Sequence, residues 1–162
     1  MRHGIAHELG EQGITRDSER TLTSEGRQKT RAVAHGLRKL EVCPDLIASS
    51  TLTRALETAR LVAEVLECAQ PVEACEILEP GARPEEVLGW LKSARADSVL
   101  LVGHIPDLGE LASFLLGGSP DLAIQFRKAA VCCLAFDHAP SAGKARLEWL
   151  MQPRALQALG KE

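Results

Sequence analysis

The chain has 162 residues, of which 45% are hydrophobic and 25% charged, and its formal net charge is −3. That length suits one domain with its own core, and that balance excludes a disordered polyelectrolyte. A slightly acidic chain with 3% aromatic residues and no tyrosine also lacks the basic field and the stacking surfaces that nucleic-acid binding requires.

The chain opens on Met1-Arg2-His3-Gly4. Residues 5–22 are polar and glycine-containing, and Asp17-Ser18-Glu19-Arg20-Thr21-Leu22-Thr23 leads into a helix that Thr23 or Ser24 can cap. Ala32, Val33, Leu37 and Leu40 follow at helical spacing, and Pro44-Asp45 breaks the pattern. Leu46-Ile47-Ala48 reads as a short buried strand. A hydroxyl-rich turn, Ser49-Ser50-Thr51-Leu52-Thr53, then opens a second helix with Leu56, Ala59, Ala63 and Leu66 on one face. Pro71-Val72 begins another extended piece, and Ile77-Leu78-Glu79-Pro80-Gly81 is a loop. Pro84 suits the first turn of a helix whose inner face is Val87, Leu88 and Leu91.

Ser98–Val102 is an apolar run of strand length that stops at Gly103-His104, turns through Pro106 and opens a helix that Asp107 can cap, ended by Gly117-Gly118. Ala129–Phe136 and Ala145–Met151 are extended runs joined by a Pro/Ser/Gly turn, as in a hairpin, and Pro153 starts a terminal helix. Strands alternating with helices of about 12 residues define an α/β fold, doubly wound, in one domain over residues 1–162. One element is short: if His3 ends a strand, only Met1 and Arg2 precede it, so the first strand is expected to be truncated.

The five cysteines show no CxxC spacing, and Cys132-Cys133 lies within an apolar run, which favours buried structural thiols over a redox or metal role. No apolar run approaches the roughly 20 residues that cross a bilayer, and no secretory leader precedes the fold; a cytoplasmic protein without a membrane partner is expected.

Both His3 and His104 fall in turns at strand ends, and the carboxyl edge of an open parallel sheet is where ligands bind. Arg54 lies in the first turn of its helix, where a cation opposes the positive end of the macrodipole unless an anion is bound there. Free backbone N–H groups and a guanidinium fork at a helix start suit phosphate or sulfate. Arg2, His3, Arg20, Arg54 and His104 would then meet at one edge of the sheet.

Met1-Arg2-His3-Gly4, Arg20-Thr21-Leu22-Thr23-Ser24-Glu25-Gly26, Ser49–Ala59 with Arg54 at its centre, Glu79-Pro80-Gly81 and Val102-Gly103-His104-Ile105-Pro106 together resemble the histidine phosphatase superfamily. Their order and spacing are most similar to its small SixA-type phosphohistidine phosphatase branch. The resemblance covers nearly the whole chain and implies the three-layer phosphoglycerate mutase-like fold, with a mostly parallel central sheet flanked by helices. It implies a phosphatase in which His3 is the nucleophile and forms a covalent phosphohistidine that water hydrolyses. Arg2, Arg54 and His104, joined by Arg20, would clamp the phosphoryl oxygens. Larger relatives place a carboxylate where this chain has Glu79, which makes Glu79 the candidate general acid. No cofactor and no metal ion is expected, since these cations neutralise the phosphoryl charge.

The chain leaves little for a lid over the site, which favours phosphohistidine on a protein, of the histidine-containing phosphotransfer type, as substrate and partner. Two other readings stand beside it. One is a phosphomonoesterase or mutase acting on a small phosphate ester, and the other a non-catalytic phosphate-binding module.

Overall fold

In the computed structural model, which describes residues 1–161, the expected apolar runs become five strands and five helices. The strands are β1 (Leu46–Ser49), β2 (Glu73–Ala74), β3 (Val99–Val102), β4 (Val131–Ala135) and β5 (Arg146–Met151). The helices are α1 (Ser24–Lys39), α2 (Thr53–Leu66), α3 (Pro84–Ser93), α4 (Asp107–Gly117) and α5 (Pro153–Leu159). β2, β1 and β3 form a parallel sheet in that order, and β4 and β5 pair antiparallel as the expected hairpin, with a bulge between Cys133 and Leu134.

The N-terminal segment joins the two sheets. Arg2 forms a parallel bridge to Gly103 at the end of β3; His3 N–H donates to Gly103 O at 3.1 Å, and Gly103 N–H donates to Met1 O at 3.1 Å. On its other side, Arg2 N–H donates to Ala130 O at 3.0 Å and Ala129 N–H to Arg2 O at 3.2 Å. The place of a central strand between β3 and β4 is thus held by Met1–His3, with one isolated bridge at Arg2.

Strand alternation sends side chains to two cores. Ile47, Leu100, Val102 and Val131 face a cluster with Val33, Leu37, Ala55, Ala59, Val62 and Leu156, the layer of α1, α2 and α5. Ala48 faces the other way, into a cluster with Leu78, Val87, Leu88, Leu111 and Leu115 from α3 and α4. Helices therefore cover both faces, which is the expected three-layer arrangement. Burial on both sides is why the β1 and β3 sequences are continuous apolar runs rather than alternating ones.

Three local expectations are corrected. The buried face of α2 is Arg54, Ala55, Thr58, Ala59, Leu61, Val62 and Val65, whereas Leu56, Ala63 and Leu66 are only half-buried. Ala55, Thr58 and Ala59 hold the inward positions of the first half of α2, and Leu61, Val62 and Val65 those of the second half. Asp107 does not cap α4: it is the first helical residue, and its Oδ2 accepts from Gly81 N–H at 3.2 Å, tying the loop after β2 to this helix. The loop Ile77–Gly81 is partly ordered by a 3-10 turn over Glu76–Leu78. The Thr23 cap forms as expected, with its Oγ1 accepting from Gly26 N–H at 2.9 Å.

The five cysteines are free thiols. Burial pushes the Cys132 thiol up to about 11, which makes it a packing group rather than a reactive one.

Candidate active site

Parallel β1 and β3 end side by side, Ser49 opposite Val102, so the turns that follow them emerge together. Ser50 continues the pairing through its N–H to Val102 O at 2.9 Å. The bridge at Arg2 adds a third chain ending at the same edge, and the sheet thereby delivers His3, Ser50 and His104 to one place. All three are buried, and the rings of His3 and His104 lie 5.2 Å apart at 52° to each other.

The tautomer of His3 follows from its partner. Its Nδ1 lies 2.7 Å from Gly4 O, a group that can only accept, so Nδ1 carries the proton and Nε2 keeps its lone pair. Burial pushes the His3 imidazole down to about 3, with His104, Arg54 and Arg2 adding repulsion against the Gly4 bond. It is neutral at physiological pH. The turn beneath it is tight: Gly4 N–H donates to Thr58 Oγ1 at 2.9 Å, and Thr58 in turn donates to Arg54 O at 2.7 Å. One threonine thus couples the histidine turn to the start of α2. Gly26 completes this support, since a Cβ there would stand 2.0 Å from Ile5 O, and only glycine lets the segment after His3 lie against α1.

His104 Nε2 lies 2.8 Å from Ser50 Oγ, while its Nδ1 is buried with no partner. Burial, followed by the charge of Arg54, pushes it down to about 4. Arg54 is 5% exposed; Nη1 donates to Asp17 O at 2.9 Å and Nη2 to Asp17 Oδ2 at 3.0 Å, leaving Nε buried and unpaired. Arg2 is similar: Nη1 donates to Phe126 O at 2.9 Å, and Nε is buried without a partner.

Among the described residues only four buried side-chain polar atoms lack a partner, and three of them are Arg2 Nε, Arg54 Nε and His104 Nδ1. An unsatisfied buried donor costs about 1–3 kcal/mol, so their concentration beside His3 marks a site built for an absent acceptor. The two arginines and the neutral imidazoles suit an anion with several oxygens.

The remaining expected members sit further out. Arg20 commits its donors to the loop: Nε to His7 O at 2.6 Å, Nη1 to Asp17 Oδ1 at 3.0 Å and Nη2 to Glu8 Oε2 at 2.9 Å. It joins the cluster through Asp17, which it shares with Arg54. Glu79 is half-buried at the same edge and accepts from Thr51 Oγ1, next to Ser50, but its carboxylate hydrogen-bonds neither histidine. Asp17, Ser50 and Thr58 are the members that sequence reasoning missed. The hydroxyl-rich Ser49–Thr53 turn was a visible signal for Ser50, whereas the pairing of Asp17 with two arginines is set by tertiary folding.

The family model described as histidine phosphatase superfamily (branch 1) matches residues 1–79. An uncharacterized protein of Picosynechococcus sp. is 32% identical over 134 residues, 81% of this chain and 79% of its own length. Phosphohistidine phosphatase SixA of Escherichia coli is 27% identical over 156 residues, 94% of this chain and 91% of its own. A solved structure of the protein histidine phosphatase SixA complexed with tungstate superposes with a TM-score of 0.84 at 27% identity, covering 96% of each chain. The fold, the Arg2-His3-Gly4 turn and these likenesses agree, and the chain belongs to the histidine phosphatase superfamily, among its SixA-type members.

Proposed function

We propose that this phosphatase hydrolyses phosphohistidine on a protein substrate through a covalent phosphoenzyme at His3. The observation that carries the reading is the His3 tautomer: Nδ1–H is held by Gly4 O, and Nε2 is left as a neutral nucleophile among unpaired donors. A substrate phosphoryl group fits there with its oxygens on Arg2, Arg54 and His104.

His3 Nε2 attacks phosphorus, the substrate N–P bond breaks, and the phosphoryl group passes to His3 with charge spread over its three equatorial oxygens. Arg2, Arg54 and His104 supply the donors that stabilise that charge, with Asp17 giving up its share of Arg54 to the phosphoryl oxygens. The electron pair of the broken bond goes to the departing imidazole, which leaves neutral when its other nitrogen carries a proton. Water then attacks phosphorus, the Nε2–P bond breaks, and orthophosphate departs with His3 regenerated. Glu79, held by Thr51, is the group for proton transfer at the rim. A phosphoramidate needs that acid less than a phosphate ester does, which suits a site whose carboxylate hydrogen-bonds neither histidine. Similarity to SixA proteins supports the same substrate class.

The test is acid-quench trapping with a 32P-labelled phosphohistidine protein and with an aryl phosphate, on the wild type and on His3→Ala. The expected result is an acid-labile, alkali-stable label on the wild type, none on the variant, and faster turnover of the phosphohistidine protein. A faster aryl ester would move the reading to a small-molecule phosphomonoesterase, and no label from either would end it.

A further inference from the structure

His104 has one ring nitrogen engaged and one free, and which of them carries the proton decides whether the ring attracts or repels an anion. Burial pushes its pKa down to about 4, so the ring is neutral at physiological pH and holds a single N–H. With that proton on Nδ1, the unpartnered nitrogen is a donor available to an oxyanion. With it on Nε2, the same nitrogen is a lone pair that opposes a phosphoryl oxygen.

The choice falls to Ser50. Ser49 at the end of β1 lies opposite Val102 at the end of β3, and Ser50 N–H donates to Val102 O at 2.9 Å, which brings the serine side chain beside His104. The hydroxyl is wholly buried; its Oγ accepts from Leu52 N–H at 3.3 Å, just ahead of α2, and lies 2.8 Å from His104 Nε2. Among the described residues the Oγ meets no other partner, so Nε2 is the one acceptor that its O–H reaches. The reverse polarity, Nε2–H donating to Oγ, would bury a hydroxyl hydrogen with no acceptor and leave Nδ1 a second unpaired group, at a cost for each.

We infer that Ser50 is a positioning residue: its hydroxyl donates to His104 Nε2, fixes the Nδ1–H form, and so makes His104 a hydrogen-bond donor to a phosphoryl oxygen. The inference rests on the reading above that the phosphoryl group sits on Arg2, Arg54 and His104. The two histidines then carry their protons on the same atom for opposite purposes. Gly4 O takes up the Nδ1–H of His3 and frees Nε2 to attack, whereas Ser50 takes up Nε2 of His104 and frees Nδ1–H to bind. A neutral donor also spares the site a further buried cation beside Arg54, whose charge already opposes protonation of the ring.

The tautomer is read directly by long-range 1H–15N correlation on protein with 15N-labelled histidine, the His104 signals being identified by their loss in His104→Gln. The wild type is expected to show Nδ1 protonated and Nε2 unprotonated at neutral pH, with an Nδ1 signal that shifts on adding inorganic phosphate. Ser50→Ala is expected to release the ring into a mixture of tautomers and to lower kcat/KM on an aryl phosphate about tenfold, the scale of one hydrogen bond to a charged ligand. Ser50→Thr keeps the hydroxyl and is expected to recover both. Ser49→Ala removes the adjacent buried hydroxyl, which donates to Ser50 O at 2.9 Å, and is expected to leave the His104 tautomer unchanged, so that a loosened strand end is distinguished from a lost Nε2 partner. A wild-type His104 protonated on Nε2, an Nδ1 signal indifferent to phosphate, or a Ser50→Ala protein that keeps the pure Nδ1–H form overturns the inference. Turnover of the aryl phosphate but of no phosphohistidine protein overturns the substrate reading instead and leaves the Ser50 assignment standing.

Discussion

Asp17 shows how much of the site is decided by single groups. Its carboxylate takes Arg54 Nη2 and Arg20 Nη1 at 3.0 Å each, so it occupies donors that an oxyanion would use. With 50% of its side chain exposed, that pairing contributes about 1 kcal/mol or less, roughly a fivefold effect on anion binding. Asp17→Asn is therefore expected to lower the inhibition constant for inorganic phosphate about fivefold, as measured by competition against an aryl phosphate. A raised constant would mean that the carboxylate holds Arg54 in place instead of competing with the ligand. Thr58 is the opposite case, a fully buried hydroxyl with two backbone partners. Thr58→Val leaves the Gly4 N–H without an acceptor and is expected to cost about 1–3 kcal/mol in urea unfolding, with Thr58→Ser recovering most of it. At this scale the sequence was legible for His3, His104, Arg2 and Arg54, because each stands next to a strand end or a helix start. It was silent on Asp17 and on the outward position of Arg20, because those depend on how a polar loop folds over the edge.

Among whole elements, the strands and helices were legible because both faces of the sheet are buried and the breaks carry Pro, Gly or hydroxyl residues. The face of α2 was not, since of the expected Leu56, Ala59, Ala63 and Leu66 only Ala59 is fully buried, and Arg54 and Thr58 stand inward among Ala55, Leu61, Val62 and Val65, polar residues that blur the hydrophobic period. Glycines record close approach of backbones. Gly26→Ala would drive a methyl into Ile5 O, and because carbonyl and helix are both backbone, the segment carrying His3 must move. That variant is expected to lose about 2 kcal/mol or more of stability together with phosphatase activity. Gly89, exposed in α3 with nothing within 4 Å of a built Cβ, provides the contrast. Gly89→Ala is expected to raise stability by about 0.5–1 kcal/mol at unchanged kcat/KM, as read from denaturant midpoints and turnover in parallel. Equal losses from both substitutions would mean that close approach at Gly26 is not what positions the histidine turn.

For the molecule as a whole, the buried site makes stability depend on pH in a window of its own. His3 titrates near 3 and His104 near 4 when folded, against about 6.5 for imidazole in the unfolded chain. Between those limits the unfolded state binds more protons than the native state, so stability rises with pH from about 4 to 6.5 and is fully present above that range. Carboxylates held low by cations, such as Asp17 and Glu64, act in the same direction but in a lower window, losing their contribution as pH falls below the ordinary carboxylate range. The two sources are separable by substitution. In thermal unfolding between pH 4 and 7, His3→Ala and His104→Gln are each expected to flatten the slope of the melting temperature in the upper half of the window, while Asp17→Asn leaves that half unchanged. Bound phosphate reverses the field at the imidazoles, favouring their protonated forms in the native state, so its stabilising effect should grow as pH falls toward 5. Melting curves that shift in parallel for wild type and both histidine variants would show that some other group titrates in this window, and would remove the neutral buried pair on which nucleophilic attack by His3 depends.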